Sequence, residues 1–421
     1  MARLVPWSRL LGVRTLPAPA GKATESPNGA DSADSGRHEG LDGFRGIAVL
    51  MVMAFHFFLV TQPLSTSNRF EWAVDRVASF GWAGVDLFFV LSGFLITGIL
   101  LDAKTSRLHY FRNFYARRCL RIVPLYYGYL IVMFGVVALF AASAEYRELQ
   151  AAQGWFWLYL ANMWYALHGG QAIDLYGTGH LWSLAVEEQF YLVWPAVVLM
   201  CRPRTLGYAC AFVMLGSWAS RAAMAQSGAP LFTSFTFTLS RADGLAAGAL
   251  LAVLIRHRRE VVARLALPLA VISAATFAAT VVAQGGTPVF YPAMQTFGMV
   301  SLVVLFASVI ALELIAHAGW LHRLLRARIL RFFGKHSYAL YVVHWPIATW
   351  LVWHVDLQHA LPGVGDSLLP GRILFTVTAL VGSLILSVVT WHVVEQPCIR
   401  LKRHFPQAEE RPSALVLARV A

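Results

Sequence analysis

Charged residues are scarce in this 421-residue chain: Asp, Glu, Lys and Arg together make up 13% of it, whereas hydrophobic residues make up 58%. A water-soluble domain of this length needs more polar surface than that composition supplies, so this class is excluded. The chain is therefore interpreted as a polytopic membrane protein. Its predicted fold class is all-α, a transmembrane helical bundle.

Cysteine is also rare, with four residues and no Cys-x-x-Cys spacing. Three of the four lie beside basic loops predicted to face the cytoplasm, where thiols stay reduced, so we predict no disulfide and no metal site. No repeat of about 20–50 residues is apparent either. Its absence counts against a transporter built from inverted repeats.

Basic residues exceed acidic ones, 34 to 22, which gives a formal net charge of +12. In a soluble protein this excess would suggest a nucleic-acid partner. Here the basic residues collect in short loops between apolar runs, which indicates membrane topology and no nucleic-acid partner.

The apolar runs predict about ten membrane spans, at 42–61, 80–101, 122–142, 181–200, 205–225, 241–255, 265–283, 293–316, 337–355 and 372–394. The polar segment 1–40 is predicted to be a disordered cytoplasmic tail, and 401–421 a cytoplasmic C-terminal tail. The aromatic stretch 155–167 is too short to cross and fits a re-entrant or interfacial segment. If it does not cross, the basic loops face the cytoplasm, which predicts a multi-pass protein with both termini inside.

Arg45 and His56 lie eleven residues apart in the first predicted span. On an α-helix this spacing returns both side chains to one face, separated by about 16 Å along the axis. An ionisable group inside a membrane is costly and usually faces a cavity or a partner. The pair is therefore a candidate functional site.

Other ionisable residues sort by depth along the predicted spans. Those nearer the outer surface are His56, Asp86, His180, Glu187, Glu188, Arg241 and Asp243. Those near the inner surface are Arg45, Arg117, Arg118, Arg121 and Glu395, with His344 at intermediate depth. The pattern predicts a basic inner mouth that leads to a cluster of histidines and carboxylates.

This arrangement suits transfer of an acyl group from a cytoplasmic acyl-CoA. Guanidinium groups bind nucleotide phosphates well, and an extended pantetheine arm spans on the order of 16 Å, the helix rise between Arg45 and His56. A neutral His56 would take the proton of the acceptor hydroxyl, with Asp86 or Glu187 orienting its ring. Covalent transfer through His56 is the alternative, and the residues do not separate the two.

Six segments resemble the acyltransferase 3 family: the Arg-x10-His of span 1, Gly-Val-Asp-Leu-Phe-Phe-Val-Leu-Ser-Gly-Phe-Leu-Ile-Thr from residue 84, and segments 115–124, 180–191, 337–344 and 394–397. Family members are integral-membrane O-acyltransferases, mostly bacterial, that modify surface glycans, lipids or macrolides. The resemblance covers about residues 41–400 and implies an acyltransferase 3 transmembrane domain there. It also implies that Arg45, Arg118 and Arg121 bind the donor, acetyl-CoA, and that His56 is catalytic.

Several residues have a structural interpretation as well. Arg118 and Arg121 could be positive-inside anchors, and His344 could tie its span to a neighbour through a hydrogen bond. Asp86 and Asp243 could belong to ion pairs, since intramembrane charges normally pair. Glu187 and Glu188 diverge by about 100°, so one is expected to face the cavity and the other a partner such as Arg241. Ser92 and Gly93 are interpreted as close helix packing.

The predicted function, with the resemblance taken into account, is a bacterial inner-membrane O-acyltransferase that moves an acetyl group to a hydroxyl of a surface or lipid-linked glycan. The residues leave open a longer acyl group such as succinyl. Acylation of a macrolide or lipid hydroxyl is the alternative within the class. A transporter or flippase is the alternative from another class, because buried carboxylates and histidines also build substrate paths. Expected partners are membrane lipids and a carbohydrate or glycolipid acceptor, with no bound cofactor; the oligomeric state is left open.

Overall fold

The computed structural model describes residues 39–61, 69–104, 109–141, 143–168, 176–287, 289–316, 319–355 and 369–406. These residues form helices and no strand, which confirms the predicted all-α bundle. The long helices are α1 (Glu39–Leu59), α3 (Gly84–Ala103), α4 (Tyr110–Ile131), α8 (Leu181–Met200), α9 (Pro203–Gln226), α11 (Thr238–His257), α12 (Arg259–Gln284), α13 (Met299–Ala316), α16 (Ser337–His354) and α17 (Leu369–Thr390). The short ones are α2 (Arg69–Ser79), α5 (Ala144–Ala151), α6 (Gln153–Trp157), α7 (Ala161–His168), α10 (Leu231–Thr236), α14 (Trp320–Leu325), α15 (Arg328–Lys335) and α18 (Gln396–Arg400).

Seven helical segments of the described chain are long and apolar enough to cross a membrane: Glu39–Phe58, Arg69–Ala103, Tyr110–Leu139, Leu231–His257, Arg259–Gln284, Met294–Ala316 and Leu369–His404. The other three predicted spans coincide with α8, α9 and α16, which are helices of 20, 24 and 18 residues outside this set of seven. The molecule is a helical multi-pass membrane protein. The count of ten spans stays a prediction.

Segments predicted as basic loops are largely helical. Helix α4 begins at Tyr110, so the arginines at 117, 118 and 121 lie on a helix rather than in a loop. The first predicted tail ends earlier than expected because α1 begins at Glu39, and residues 1–38 lie outside the described residues. In the predicted C-terminal tail, residues 401–406 pack on α4, where Arg117 donates a hydrogen bond to Phe405 O at 3.0 Å. Residues 407–421 lie outside the described residues.

The aromatic stretch 155–167 is a short helix–turn–helix, and neither α6 nor α7 is long enough to cross a membrane. Its turn contains Tyr159, whose φ is +54°. Tyr126 donates to Phe156 O at 2.9 Å, and Gln189 donates to Tyr159 O at 2.9 Å, so α4 and α8 hold the turn. Irregular backbone at membrane depth is tolerated where it is buried in protein in this way.

Helices α3 and α11 pack closely because two glycines face the partner's backbone. A Cβ on Gly93 would lie 1.9 Å from Leu245 O, and one on Gly248 would lie 1.9 Å from Val90 O. No larger side chain fits at either position without separating the helices. The prediction that Gly93 serves close packing is confirmed.

The short helix α2 is anchored to the end of α1 that follows His56. Arg372 of α17 is 2% exposed; it pairs with Asp75 of α2 at 2.9 Å and donates to Thr61 Oγ1 at 2.8 Å. One buried guanidinium thus joins three segments. The four cysteines of the chain all lie within the described residues and are free.

Candidate active site

Three arginines lie toward the end of the bundle at which α1 begins. Arg45 is partly exposed and pairs with Asp42 at 3.5 Å. Arg118 lies over the ring of Tyr191, with its guanidinium carbon 5.5 Å from the ring centre. Arg121 interacts electrostatically with Glu395, which is 2% exposed.

Glu187 joins this basic region to the core of the bundle. Its carboxylate accepts hydrogen bonds from Ser92 Oγ at 2.7 Å and from Tyr191 Oη at 3.3 Å. Arg118 and Arg45 both interact with it electrostatically. Two of the predicted donor-binding arginines therefore lie within electrostatic range of one carboxylate. Ser92 has a polar role here that the packing interpretation missed; a hydroxyl in an otherwise apolar helix was the available signal.

His56, His344 and His180 form a cluster contributed by α1, by α16 and by the residue that precedes α8. His344 Nε2 lies 3.2 Å from His56 Nδ1, and the rings of His344 and His180 have centres 5.3 Å apart. His180 Nε2 lies 3.2 Å from Val342 O. Tyr341 stands beside the cluster, donates to His180 O at 3.2 Å and shares a hydrogen bond with Ser183 Oγ. His344 thus contacts the neighbouring helix α1 in the way that its structural interpretation predicts. A contact of His344 with the donor or acceptor stays a prediction.

Asp86 does not contact His56, contrary to the sequence-based expectation. It forms an ion pair with Arg241, with 2.9 Å between its Oδ1 and Nη2, and both side chains are buried. The nearest polar neighbours of His56 Nδ1 are instead Val52 O at 2.9 Å and the His344 ring. Asp86 lies on α3 and faces α11, and the tight packing of these two helices brings the two charges together. The ion-pair interpretation of Asp86 is the one with structural support.

Asp243 also belongs to an ion pair. Arg221 of α9, which sequence reasoning missed, lies 2.6 Å from Asp243 and donates to Gln295 O at 2.7 Å. Asp86 interacts electrostatically with this second pair, so two aspartates and two arginines form one buried group whose charges cancel. Arg241 is also enclosed by aromatic rings, with centres 4.9–5.6 Å from its guanidinium carbon: Phe89, Trp182 and Phe235.

Arg241, the partner suggested for one of the two glutamates, is paired with Asp86 instead. Glu188 faces the other way, toward α4, where Arg118 interacts with it electrostatically. Tyrosine hydroxyls near Glu188 are those of Tyr126, Tyr127, Tyr159 and Tyr338. The two adjacent glutamates thus do diverge, and Arg118 lies near both.

Exposure divides the candidate residues into two sets. The buried set, 0–3% exposed, consists of Asp86, His180, Arg241, Asp243 and His344. The accessible set keeps part of its surface open and consists of Arg45, His56, Ser92, Arg118, Arg121, Glu187 and Glu188. Only the accessible set can touch a substrate without rearrangement of the bundle. Within the described residues, no group of three or more His, Cys, Asp or Glu side chains is arranged to hold a metal ion.

These features define a multi-pass helical membrane protein with arginines toward one end of its core and a histidine cluster toward the other. The acyltransferase 3 family model, described as an acyltransferase domain, matches residues 38–392. The chain belongs to this family. No solved structure is significantly similar to it.

The curated relatives are named as O-acetyltransferases. The putative peptidoglycan O-acetyltransferase YrhL of Bacillus subtilis is 29% identical over 376 residues, which cover 85% of this chain and 54% of the relative. The peptidoglycan O-acetyltransferase OatA of Listeria monocytogenes is 29% identical over 330 residues, 73% of this chain and 49% of the relative. The O-acetyltransferase OatA of Staphylococcus aureus is 26% identical, with 73% and 50% covered. The chain spans about half the length of these relatives.

Proposed function

We propose that this protein is an inner-membrane O-acetyltransferase that transfers an acetyl group from cytoplasmic acetyl-CoA to a hydroxyl of a cell-surface or lipid-linked glycan. The observation that carries the proposal is the accessible set of polar residues. Its members include the arginines at one end, Glu187, and His56, which is the one histidine of the cluster that is partly exposed. A donor that is anionic at one end and reactive at the other fits this order of residues.

The donor would enter at the basic end, with both termini of the protein on the cytoplasmic side. Guanidinium groups of Arg45, Arg118 and Arg121 would bind the phosphates of the nucleotide. The helix rise of about 16 Å between Arg45 and His56 matches an extended pantetheine arm, which would bring the thioester toward His56. Glu187 would hold Arg45 and Arg118 in place for this contact.

The chemical step would use His56 as a general base. Its free ring nitrogen takes the proton of the acceptor hydroxyl while the hydroxyl oxygen attacks the thioester carbonyl. The carbon–sulfur bond then breaks, and the CoA sulfur leaves and takes up the proton. Base catalysis of this kind contributes about 10²- to 10⁴-fold to a rate.

The acceptor class rests on the relatives, two of which are named for peptidoglycan. A glycan hydroxyl is the acceptor that those names have in common with the chemistry of the site. Peptidoglycan is the first glycan to examine, together with other surface glycans.

The test is mass spectrometry of surface glycans and lipids from a deletion strain complemented with wild type, His56→Ala or Arg45→Ala. The proposal expects a deficit of one acetyl group per modified sugar in the deletion and His56→Ala strains, and partial loss with Arg45→Ala. A matched control is His354→Ala, since His354 is exposed and its ring stacks on Trp350 of its own helix. Full acetylation with stably expressed His56→Ala would refute the role of His56. Unchanged glycans and lipids in the deletion strain would refute the acceptor class and direct the search to small molecules and transport.

A further inference from the structure

Which ring nitrogen of His56 carries the proton decides whether this histidine can act as a base. A neutral imidazole has one N–H donor and one bare nitrogen that accepts, and the contacts of both nitrogens determine which is which. The contacts within the histidine cluster allow the assignment to be made from heavy atoms alone.

His344 is the starting point because its Nδ1 faces only acceptors. That nitrogen lies 3.0 Å from Leu340 O and 2.8 Å from Tyr341 O, both backbone carbonyls. A bare nitrogen there would oppose two oxygen lone pairs in a buried position, which is costly. His344 therefore carries its proton on Nδ1, and in the neutral ring Nε2 is an acceptor.

The acceptor nitrogen of His344 then determines the tautomer of His56. His56 Nδ1 lies 3.2 Å from His344 Nε2 and 2.9 Å from Val52 O. Both neighbours accept hydrogen bonds, so His56 Nδ1 must donate. The alternative in which His344 Nε2 donates to His56 would leave His56 Nδ1 bare against Val52 O and would require either a bare His344 Nδ1 or a fully buried imidazolium.

We propose that His344 is a positioning residue that, together with Val52 O, holds His56 in the Nδ1–H tautomer and leaves His56 Nε2 as the base. The use of that nitrogen in acyl transfer rests on the proposed function; the tautomer does not. When Nε2 takes the acceptor proton, the charged ring keeps a hydrogen bond from Nδ1 to His344. His344, a neutral and fully buried side chain, thus orients the ring of His56 as the expected carboxylate would have done.

The tautomer is measured directly by ¹⁵N NMR of histidine-labelled protein in lipid bilayers, where protonated and bare ring nitrogens have well separated shifts. The His56 signals are assigned by their loss in His56→Gln. The expected result is a neutral ring with a protonated Nδ1 and a bare Nε2. His168 is the internal reference, since its Nδ1 lies 2.9 Å from Trp164 O, a carbonyl four residues earlier, and its ring stacks on Trp164. A protonated Nε2 on neutral His56 would overturn the proposal whatever the protein's activity.

Variants of His344 test how much this residue contributes to holding His56 in the Nδ1–H tautomer. His344→Phe removes the acceptor, so we expect a mixture of His56 tautomers and a kcat lower by about 10- to 100-fold, less than loss of the base because Val52 O remains. His344→Gln restores an acceptor near the Nε2 position and should recover most of the Nδ1–H signal and rate. His354→Gln, ten residues further along the same helix, is the matched control and should alter neither.

The outcomes separate the two proposals. An unchanged tautomer and rate in His344→Phe would overturn the positioning role even if acetylation is established. If no variant and no wild-type sample acetylates any glycan, the proposed function fails, whereas a pure Nδ1–H signal that becomes mixed in His344→Phe still supports the positioning role. If His344→Phe does not fold, His344→Gln and the wild-type spectrum decide.

Discussion

Replacement of Asp86 distinguishes a structural ion pair from a catalytic carboxylate. Asp86 and Arg241 are 2.9 Å apart and essentially unexposed. The neighbouring Arg221–Asp243 pair also has one charge of each sign, so the group of four residues has no net charge. Asp86→Asn removes one negative charge and leaves the buried group at a net charge of +1. We expect this single change to destabilise the protein strongly.

The magnitude follows from the burial. Removing one partner of a buried pair costs about 3–5 kcal/mol because the other charge stays uncompensated. That cost lowers the folded-to-unfolded ratio by about 10²- to 10⁴-fold, at about 1.4 kcal/mol per tenfold. In the double variant Asp86→Asn/Arg241→Met the group is neutral again, and a methionine fits among the rings of Phe89, Trp182 and Phe235. Replacing a whole buried pair is often close to neutral, so most of the loss should be recovered.

The assay is thermal unfolding of detergent-purified protein followed by size-exclusion chromatography, paired with glycan acetylation in cells. The surface pair of Glu39 and Arg331, 2.7 Å apart and about 40% exposed on both sides, supplies the control; Glu39→Gln should cost at most about 1 kcal/mol. If Asp86→Asn unfolds like the wild type but abolishes acetylation, and Arg241→Met does not rescue it, then Asp86 acts in the chemistry and the structural assignment is wrong.

Three further perturbations follow from contacts described above. Arg118→Gln should raise KM for acetyl-CoA by about tenfold through loss of one phosphate contact, whereas Arg117→Gln should leave KM unchanged because Arg117 holds the C-terminal segment. Release of CoA thiol in detergent micelles measures KM for both variants, and equal effects would contradict the different roles assigned to these two arginines. Arg372→Gln should lower the unfolding temperature and speed hydrogen exchange in α2, since it removes the buried link between three segments, and unchanged exchange would refute the anchor. Gly93→Leu should reduce the yield of folded protein because its Cβ alone would overlap the carbonyl oxygen of Leu245. Gly128→Leu should be tolerated, since nothing lies within 4 Å of a Cβ at that position. Similar yields for both variants would exclude the close contact between α3 and α11.

Local features of the chain were predictable because they depend on composition and helical period. Apolar runs identified the long helices, and the spacing of Arg45 and His56 placed both on one continuous helix, α1. The stretch 155–167 was correctly separated from the spans by its length. Helix ends were predicted less well: α4 begins well before the apolar run because its arginines find partners in neighbouring segments, which the hydropathy of α4 alone does not register.

Partners across helices depended on the tertiary structure. Depth along the spans predicted a cluster of histidines and carboxylates, but not that the ring of His344 lies against His56. Nor did it show that Asp86 pairs with Arg241 rather than orienting the base. Helix periodicity sets which residues share a face, but which faces meet depends on how the helices pack against one another, and here small residues such as Gly93 decide how closely two of them approach. The sequence by itself therefore determined the helices, the membrane class and the candidate residues. Only the packing of the bundle decided that a second histidine, not a carboxylate, lies against His56.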